Sequence, residues 1–232
     1  MRTGKLIVFD GIDGSGKATQ SLLLLRRLKK EGKRVRRIEF PQYSKNVFGK
    51  LVGEYLRGAF GDFAKMDPRL ASTLFAADRF ESKEKIQRWL KAGEIVVADR
   101  YVSSNQIHQG GKIKDLKRRT AFLMWLDYLE YKIFGVPRPH VIIFLDVPVS
   151  TSLRLLGESK KKLSKKKEKY LLGKKDILES NQQYLKQSYS SALLLAKHNR
   201  NWKRITCTVS GELLSPQEIH EQVWEKLKHV LS

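Results

Sequence analysis

The chain has 232 residues, of which 41% are hydrophobic, so it is long and apolar enough for one large α/β domain spanning residues 1–232. This composition excludes an intrinsically disordered chain, and no apolar run approaches the roughly 20 residues that cross a bilayer. The formal net charge of +22 suits a nucleic-acid binder, but it equally suits an enzyme that holds several phosphates. With a lone cysteine, Cys207, and no signal peptide pattern at the N-terminus, we expect a cytoplasmic protein.

Short apolar runs bounded by turn residues alternate with amphipathic segments of helical length. The predicted strands are Leu6–Asp10, Val35–Phe40, Ile95–Asp99, Val141–Asp146 and Arg204–Val209. The predicted helices are Lys17–Glu31, Asn46–Arg57, Pro68–Leu90, Leu116–Phe134, Asp176–Asn199 and Pro216–Leu231. Alternating strands and helices pair in parallel through right-handed crossovers, so we expect an α/β three-layer sandwich whose five-stranded parallel sheet is flanked by helices.

The first predicted strand runs directly into a glycine-rich loop, and the first helix begins at Lys17. The spacing Gly-x4-Gly-Lys between a strand and a helix is typical of a phosphate loop, and hence of the P-loop NTPase type of fold. Inward-turned backbone N–H groups and the helix dipole favour an anion, and Lys17 reaches the β- and γ-phosphates. We therefore expect ATP to bind here. The residues assigned to ATP binding are Gly11, Ile12, Asp13, Gly14, Ser15, Gly16, Lys17, Ala18 and Thr19.

The residue after Lys17 departs from the usual pattern. A serine or threonine hydroxyl normally binds Mg²⁺ there, whereas this chain has Ala18, and Thr19 is rotated by about 100° around the helix. We therefore expect Mg²⁺, the metal that accompanies ATP, to be held mostly by phosphates, water and carboxylates from elsewhere. Asp13 and Asp99 are the candidates.

Polar and aromatic residues follow the second and third predicted strands at their carboxyl ends, where parallel sheets open a ligand crevice. They are Phe40-Pro41-Gln42-Tyr43 and Asp99-Arg100. Arg100 can hold a phosphate bidentately, and Asp99 can bind metal-bound water.

Phe75 and Arg79 lie one turn apart on a predicted helix face. An aromatic residue at that spacing is as readily a core residue, but an arginine beside it is hard to bury without an anion. Together they could stack a base and hold its phosphate, and Ser103-Ser104-Asn105 could read base edges.

These motifs, in this order and spacing, resemble those of the thymidylate kinases over nearly the whole chain. The quoted matches are Gly11–Thr19 with Gln20, Phe40-Pro41-x-Tyr43, Phe75-x3-Arg79, Asp99-Arg100-Tyr101-x-x-Ser104-Asn105, Gly135-x-Pro137-x-Pro139 and Asp176-x-x-Glu179. The resemblance implies ATP-dependent phosphorylation of thymidine monophosphate (dTMP) to its diphosphate, in the synthesis of thymidine triphosphate.

The resemblance also implies roles for single residues. Phe75 stacks on thymine, Arg79 binds a base carbonyl, and Arg100 bridges the acceptor phosphate and the transferred group. Lys17, Arg100 and Asp13 are the catalytic set, with Asp13 on the 3′-hydroxyl or on metal-bound water. The other acceptor contacts are Phe40, Pro41 and Tyr43 along the sugar and phosphate, Ser104 and Asn105 on the base edge, and His108 over the deoxyribose, where relatives often carry tyrosine or phenylalanine.

The stretch Lys160–Lys175 holds nine lysines against one acid, Glu168. A solvated charge run is the ordinary explanation. In the kinases that the chain resembles, a basic lid closes over the donor phosphates, and its position matches Gly157–Lys175, with Glu179 as a further metal-side candidate. Relatives carry a catalytic arginine in the loop or in the lid, and this chain has none in either, so a lysine would have to act. The resemblance further implies a homodimer through the apolar face of Leu116–Phe134.

Three other functions remain open at this stage. The first is a kinase for another nucleoside or nucleoside monophosphate, which would alter the residues around Phe75 and Arg79. The second is a basic ATPase that acts on nucleic acid, although we do not expect nucleic acid or a membrane as a partner. The third is a nucleotide-binding protein without catalysis, suggested by Ala18 and the lid that lacks arginine.

Overall fold

The computed structural model describes residues 3–61, 66–162 and 182–231, except for the side chains of residues 159–162. Its centre is a five-stranded sheet in the order β2-β3-β1-β4-β5, in which every neighbouring pair is parallel. The strands are β1 Leu6–Asp10, β2 Val35–Glu39, β3 Ile95–Asp99, β4 Val141–Asp146 and β5 Trp202–Thr206. The predicted parallel sheet is confirmed. Because Phe9 pairs with Asp99 and Asp10 with Phe144, the carboxyl ends of the three central strands meet at one edge.

Helices cover both faces of the sheet. They are α1 Lys17–Lys30, α2 Val47–Leu56, α3 Pro68–Glu81, α4 Lys83–Lys91, α5 Val102–Gly111, α6 Leu116–Asp127, α7 Val149–Lys162, α8 Gln182–His198 and α9 Pro216–Leu231. Alternate residues of β1 point to opposite faces, so Leu6 and Val8 pack with α4, α5 and α8, whereas Ile7 and Phe9 pack with α1 and α9. This arrangement confirms the predicted three layers. Among the described helices, none combines the length and apolarity needed to cross a bilayer.

The last predicted strand, Arg204–Val209, has the wrong bounds. Strand β5 begins earlier, at Trp202, because the buried Trp202 ring packs against Phe144 of β4. After Thr206 the chain leaves the sheet, and β6 (Thr208–Val209) pairs antiparallel with β7 (Glu212–Leu213). Ser210 and Gly211 turn this hairpin with φ of 50° and 84°.

The single helix predicted over Pro68–Leu90 is two helices that meet at Ser82. The break lets α3 pack against α2 and α5 while α4 places Ile86 in the core against β3. The helix predicted over Leu116–Phe134 is continuous, but its hydrogen-bonding pattern changes after Asp127. Its second part, Tyr128–Ile133, is a π-helix, whose hydrogen bonds join residues five apart instead of four.

Helices α5 and α7 were not predicted from the sequence. Helix α5 begins three residues after the end of β3 and is held by packing against α8. Helix α7 extends to Lys162, so the first residues of the proposed lid, Gly157–Lys162, belong to a helix. The rest of that segment lies outside the described residues, as do Glu179 and the start of the helix predicted from Asp176.

Candidate active site

The phosphate loop joins β1 to α1 at the carboxyl edge of the sheet. Gly14 and Gly16 adopt φ of 76° and 86°, a region that side chains with a Cβ rarely occupy. At Gly14 there is also no space, since a Cβ would come within 2.7 Å of the Ser152 carbonyl oxygen in α7. The Ser152 hydroxyl donates to the carbonyl of Asp13, so the loop is packed directly against α7.

Lys17 lies inside this loop. Its Nζ is 2.7 Å from the carbonyl oxygen of Ile12 and 3.0 Å from that of Gly11. Burial and the neighbouring Arg100 lower the pKa of Lys17 to about 8, against the opposing effect of the Asp13, Asp99 and Asp10 carboxylates. The lysine is therefore a compact cation held at the centre of the loop.

Asp10, the last residue of β1, connects the phosphate loop to α5. Its buried carboxylate accepts hydrogen bonds from the Gly11 N–H at 2.9 Å, from Ser103 Oγ at 2.5 Å and from Ser104 Oγ at 2.9 Å. Burial raises the pKa of Asp10. The hydroxyl of Ser104, which the resemblance assigned to the base edge, is thus bonded to Asp10. Sequence reasoning treated Asp10 only as a strand end, because its partners lie about 90 residues away.

Arg100 follows β3 with φ of 66°, an uncommon conformation for a residue other than glycine. Its Nη2 pairs with the carboxylate of Asp13, and its Nη1 lies 3.2 Å from Nε2 of His108. Burial alone would raise the pKa of Asp13, but Arg100, with a smaller contribution from Lys17, holds it well below its usual range. The pair is therefore ionised throughout the physiological pH range.

His108 connects Arg100 to helix α8. Its Nδ1 lies 3.3 Å from Ser188 Oγ, and its ring stacks on Tyr184 with centroids 5.8 Å apart and planes at 14°. Because a guanidinium only donates hydrogen bonds, Nε2 must be the acceptor and Nδ1–H the donor to Ser188. Burial lowers the pKa of His108 to about 3, which agrees with a neutral imidazole.

A cavity opens beside Arg100, and its empty space of about 570 Å³ includes the solvent at its mouth. The structure brings together all the residues that the sequence assigned to the acceptor, and Asp13 joins them. These lining residues are Asp13, Phe40, Pro41, Tyr43, Phe75, Arg79, Arg100, Ser104, Asn105 and His108. Sequence reasoning missed Leu56, Gln109 and Tyr184, which complete the wall. Their signal was weak, because Leu56 and Tyr184 belong to ordinary amphipathic helices.

Arg79 is almost fully buried at the inner wall, where it forms an ion pair with Glu130 of the π-helix. Burial alone would lower the pKa of Arg79, but the Glu130 carboxylate outweighs this effect and raises it. Sequence reasoning did not single out Glu130. An acid in the middle of an otherwise apolar helix face was the available signal.

The carboxylates near the loop are the candidate ligands for Mg²⁺. Asp99 Oδ2 is 3.2 Å from Arg37 Nη2, Asp13 pairs with Arg100, and Asp10 accepts hydrogen bonds from Ser103 and Ser104. Within residues 3–61, 66–162 and 182–231, no group of three or more His, Cys, Asp or Glu side chains could hold a metal alone. This donor set, made of one or two carboxylates near a phosphate loop, fits Mg²⁺, which keeps its waters and binds substrate phosphates.

A parallel sheet with a phosphate loop after its central strand and a ligand cavity at the same edge defines a P-loop nucleotide-binding protein of the NTPase type. The family model described as "Thymidylate kinase" matches residues 9–217. The probable thymidylate kinase of Pyrococcus abyssi (strain GE5 / Orsay) is 30% identical over 230 residues, covering 98% of this chain and 98% of that protein.

The thymidylate kinase of Mycobacterium tuberculosis (strain ATCC 25618 / H37Rv) is 32% identical over 153 residues, which are 66% of this chain and 69% of that protein. A solved structure of thymidylate kinase from Candida albicans has the same fold, with a TM-score of 0.72 at 24% identity over 98% of this chain and 92% of that chain. The chain belongs to the thymidylate kinase family, whose members are kinases.

Proposed function

We propose that this protein transfers the γ-phosphoryl group of ATP to the 5′-phosphate of dTMP, giving the diphosphate on the route to thymidine triphosphate. The observation that carries the proposal is the position of the cavity. Its aromatic and amide walls, Phe75 and Asn105, lie beside Arg100, and Arg100 is paired with Asp13 of the phosphate loop. A base and its phosphate bound there would lie next to an ATP molecule held by the loop. The family to which the chain belongs is also named for this reaction.

In this reaction an oxygen of the dTMP phosphate forms a bond to the γ-phosphorus, and the bond from that phosphorus to the β–γ bridging oxygen breaks. ADP leaves with the electron pair. The acceptor phosphate is already an anionic nucleophile, so the chain needs no general base. Lys17 and the loop N–H groups hold the donor, and Arg100 neutralises charge on the oxygens between the two nucleotides.

Mg²⁺ bound with ATP would neutralise charge on the β- and γ-phosphates. Asp99 and Asp13 are the residues that we propose to hold it, through water. Arg37 orients Asp99 by donating a hydrogen bond to its carboxylate. The Arg37 side chain is held in turn by a 3.0 Å hydrogen bond that its Nε donates to Ser21 Oγ of α1. We assign the lysine-rich segment 157–175 as a lid over the donor and Glu179 as a further residue on the side of the metal, both by analogy with the family.

The deciding experiment measures ADP release from ATP and Mg²⁺ with dTMP, and separately with dUMP, dCMP, dAMP and dGMP. We expect dTMP to give the highest kcat/KM. A clear preference for another monophosphate would overturn the substrate assignment. Hydrolysis stimulated by DNA or RNA with a steep salt dependence would instead support the nucleic-acid ATPase.

We also propose that the protein is a homodimer. Leu116, Met124 and Tyr128 lie at intervals of four or eight residues on α6 and its extension, and they are 67%, 69% and 59% exposed. Leu70 of the neighbouring α3 is 66% exposed. A second copy packed on these side chains would remove from water an apolar face that isolated monomers rarely expose. The lone cysteine, Cys207, is buried and free, which suits the reducing cytoplasm where we place the reaction.

A further inference from the structure

Glu130 is a fully buried acid in the π-helix that extends α6. The wider turn is marked by a hydrogen bond of 2.9 Å from the Phe134 N–H to the Leu129 carbonyl, five residues back. Single π-helical turns within α-helices are frequently found at functional sites. Here the Glu130 carboxylate reaches α3 and α5, the two helices that carry the inner wall of the cavity.

One carboxylate holds both wall residues. Glu130 Oε2 accepts from Arg79 Nε at 2.6 Å, and Oε1 accepts from Arg79 Nη2 at 2.5 Å, in a two-pronged ion pair. Oε1 also accepts from Asn105 Nδ2 at 3.3 Å, and the same amide nitrogen donates to the Ser72 carbonyl at 3.1 Å. Arg79 and Asn105 are therefore oriented by the same acid.

These contacts determine which way the Asn105 amide points. A carboxylate and a backbone carbonyl can only accept hydrogen bonds, so the NH₂ group must face Glu130 and Ser72. Both amide hydrogens are then used inside the protein. What Asn105 can offer a ligand in the cavity is its Oδ1, an acceptor.

Arg79, in contrast to Asn105, can offer a ligand only hydrogen-bond donors. Its guanidinium has five N–H donors and no acceptor. Three of them are used, two by Glu130 and one by the Tyr101 carbonyl at 3.4 Å. The remaining N–H groups can only donate. Since Arg79 and Asn105 both line the cavity, the inner wall combines a donor with an acceptor.

We propose that Glu130 is a positioning residue that sets this donor and acceptor pattern and thereby selects the base. Thymine and uracil present a carbonyl next to a ring N–H, which complements a donor beside an acceptor. Cytosine presents an amino group next to an unprotonated ring nitrogen, the reverse pattern. Glu130 would disfavour cytosine without contacting the base, because Glu130 prevents the Asn105 amide from rotating by about 180°. This inference rests on the proposed function.

The test is Glu130→Gln, which keeps the side-chain volume but turns one oxygen into a donor. One end of the new amide must then face N–H groups of Arg79 or Asn105, so the orientation of Asn105 is no longer imposed. We expect kcat/KM for dTMP to fall about 10- to 100-fold, the usual effect of a lost buried hydrogen bond to a base or substrate. Activity with dUMP should fall in parallel, since uracil has the same edge. Activity with dCMP should hold or rise, and KM for ATP should not change.

The matched control is Glu94→Gln. Glu94 also forms a two-pronged pair, with Arg36 Nε at 2.6 Å and Nη2 at 3.2 Å, but at the amino end of β3, the opposite edge of the sheet from the cavity. This variant should keep the wild-type ratio of dTMP to dCMP activity. A Glu130→Gln enzyme that loses activity equally on all three pyrimidine nucleotides, or keeps the wild-type ratio, would show that Glu130 only supports the fold.

Two further measurements keep the result interpretable. In an Asn105→Ala background, Glu130→Gln should change the dTMP to dCMP ratio much less, and an undiminished change would overturn the role through Asn105. Calorimetric titration of dTMP and dCMP measures the same selectivity without turnover. If Glu130→Gln does not fold, Glu130→Asp replaces it, because an aspartate side chain is too short to hold both partners. If the wild-type enzyme shows no dTMP-dependent turnover, the proposed function fails, whereas an active wild type with an unchanged Glu130→Gln ratio rejects only this inference.

Discussion

The guanidinium of Arg100 pairs with the carboxylate of Asp13, so the residue that follows β3 is joined to the phosphate loop that follows β1. Both side chains are mostly buried, and His108 contacts Arg100 from the other side. The pair lies where the acceptor cavity meets the donor loop. Arg100 is therefore held in place before either nucleotide arrives.

Replacing Asp13 with asparagine should lower kcat about 10- to 100-fold. The change removes a charge-assisted hydrogen bond, worth about 1.5–3 kcal/mol when buried, and frees the Arg100 side chain. Steady-state ADP release measures the effect. The control is Asp127→Asn, which breaks a two-pronged pair with Arg138 on the surface and should change turnover less than about twofold. Equal effects of the two substitutions would contradict the role of Asp13.

Replacing Lys17 with alanine should abolish turnover, by about a thousandfold or more, because the donor phosphates lose their central cation. The fold should remain, since within the described residues the hydrogen bonds of the lysine go to two loop carbonyls and to Ser15 of the same loop. Lys30→Ala, at the exposed end of the same helix, is the control. Retained turnover in Lys17→Ala would reject the assignment of the phosphate loop.

The lowered pKa of Lys17, about 8, predicts a pH dependence. As the pH rises through this value the free enzyme loses the positive charge that attracts ATP, so kcat/KM for ATP should decline above pH 8. The plot of kcat should decline at higher pH, because bound phosphates raise the pKa of Lys17 in the complex. A flat kcat/KM profile to pH 9.5, with the melting temperature unchanged, would contradict a buried Lys17 in the loop.

Two substitutions of His108 distinguish the role of its stacked ring from the role of its acceptor nitrogen. His108→Gln offers Arg100 an acceptor, whereas His108→Phe keeps a ring to stack on Tyr184 but accepts nothing. We expect His108→Phe to lower kcat about five- to tenfold, the usual effect of one buried hydrogen bond, and His108→Gln to lower it less. The reverse order would show that stacking matters more than the contact with Arg100.

The proposed dimer predicts that Met124→Glu yields monomers at micromolar concentration. The substitution places a charge in the centre of the apolar face of α6, where it would have to be buried without a partner. Light scattering coupled to gel filtration measures the mass. Val209→Glu in the β6–β7 hairpin, a residue 59% exposed, is the control and should leave the mass unchanged.

Local patterns in the sequence were sufficient for the phosphate loop and for the parallel sheet, apart from the bounds of β5. The strands are short apolar runs bounded by turns, and the loop has a characteristic spacing. Residues at strand ends, such as Arg100 and Phe40, could be assigned because the carboxyl ends of parallel strands converge. These are properties of consecutive residues, and the structure places them as expected.

Features created by tertiary packing could not be predicted. Glu130 is 51 residues from Arg79 in the sequence, and no local pattern around either residue predicts that they pair. Helix α5 is rich in serine, glycine and asparagine, which favour turns, and it is helical because it packs along α8. Tyr184 lines the cavity only because α8 lies there.

The contact between Gly14 and α7 limits how this enzyme could change over evolutionary time. A Cβ at Gly14 would collide with the Ser152 backbone and with Leu156 Cγ, at 2.7 Å and 2.8 Å. No single substitution can therefore introduce an arginine at this point of the loop unless α7 first moves away. Any lineage descended from this sequence that keeps α7 in place would have to acquire a stronger donor-side cation at another position.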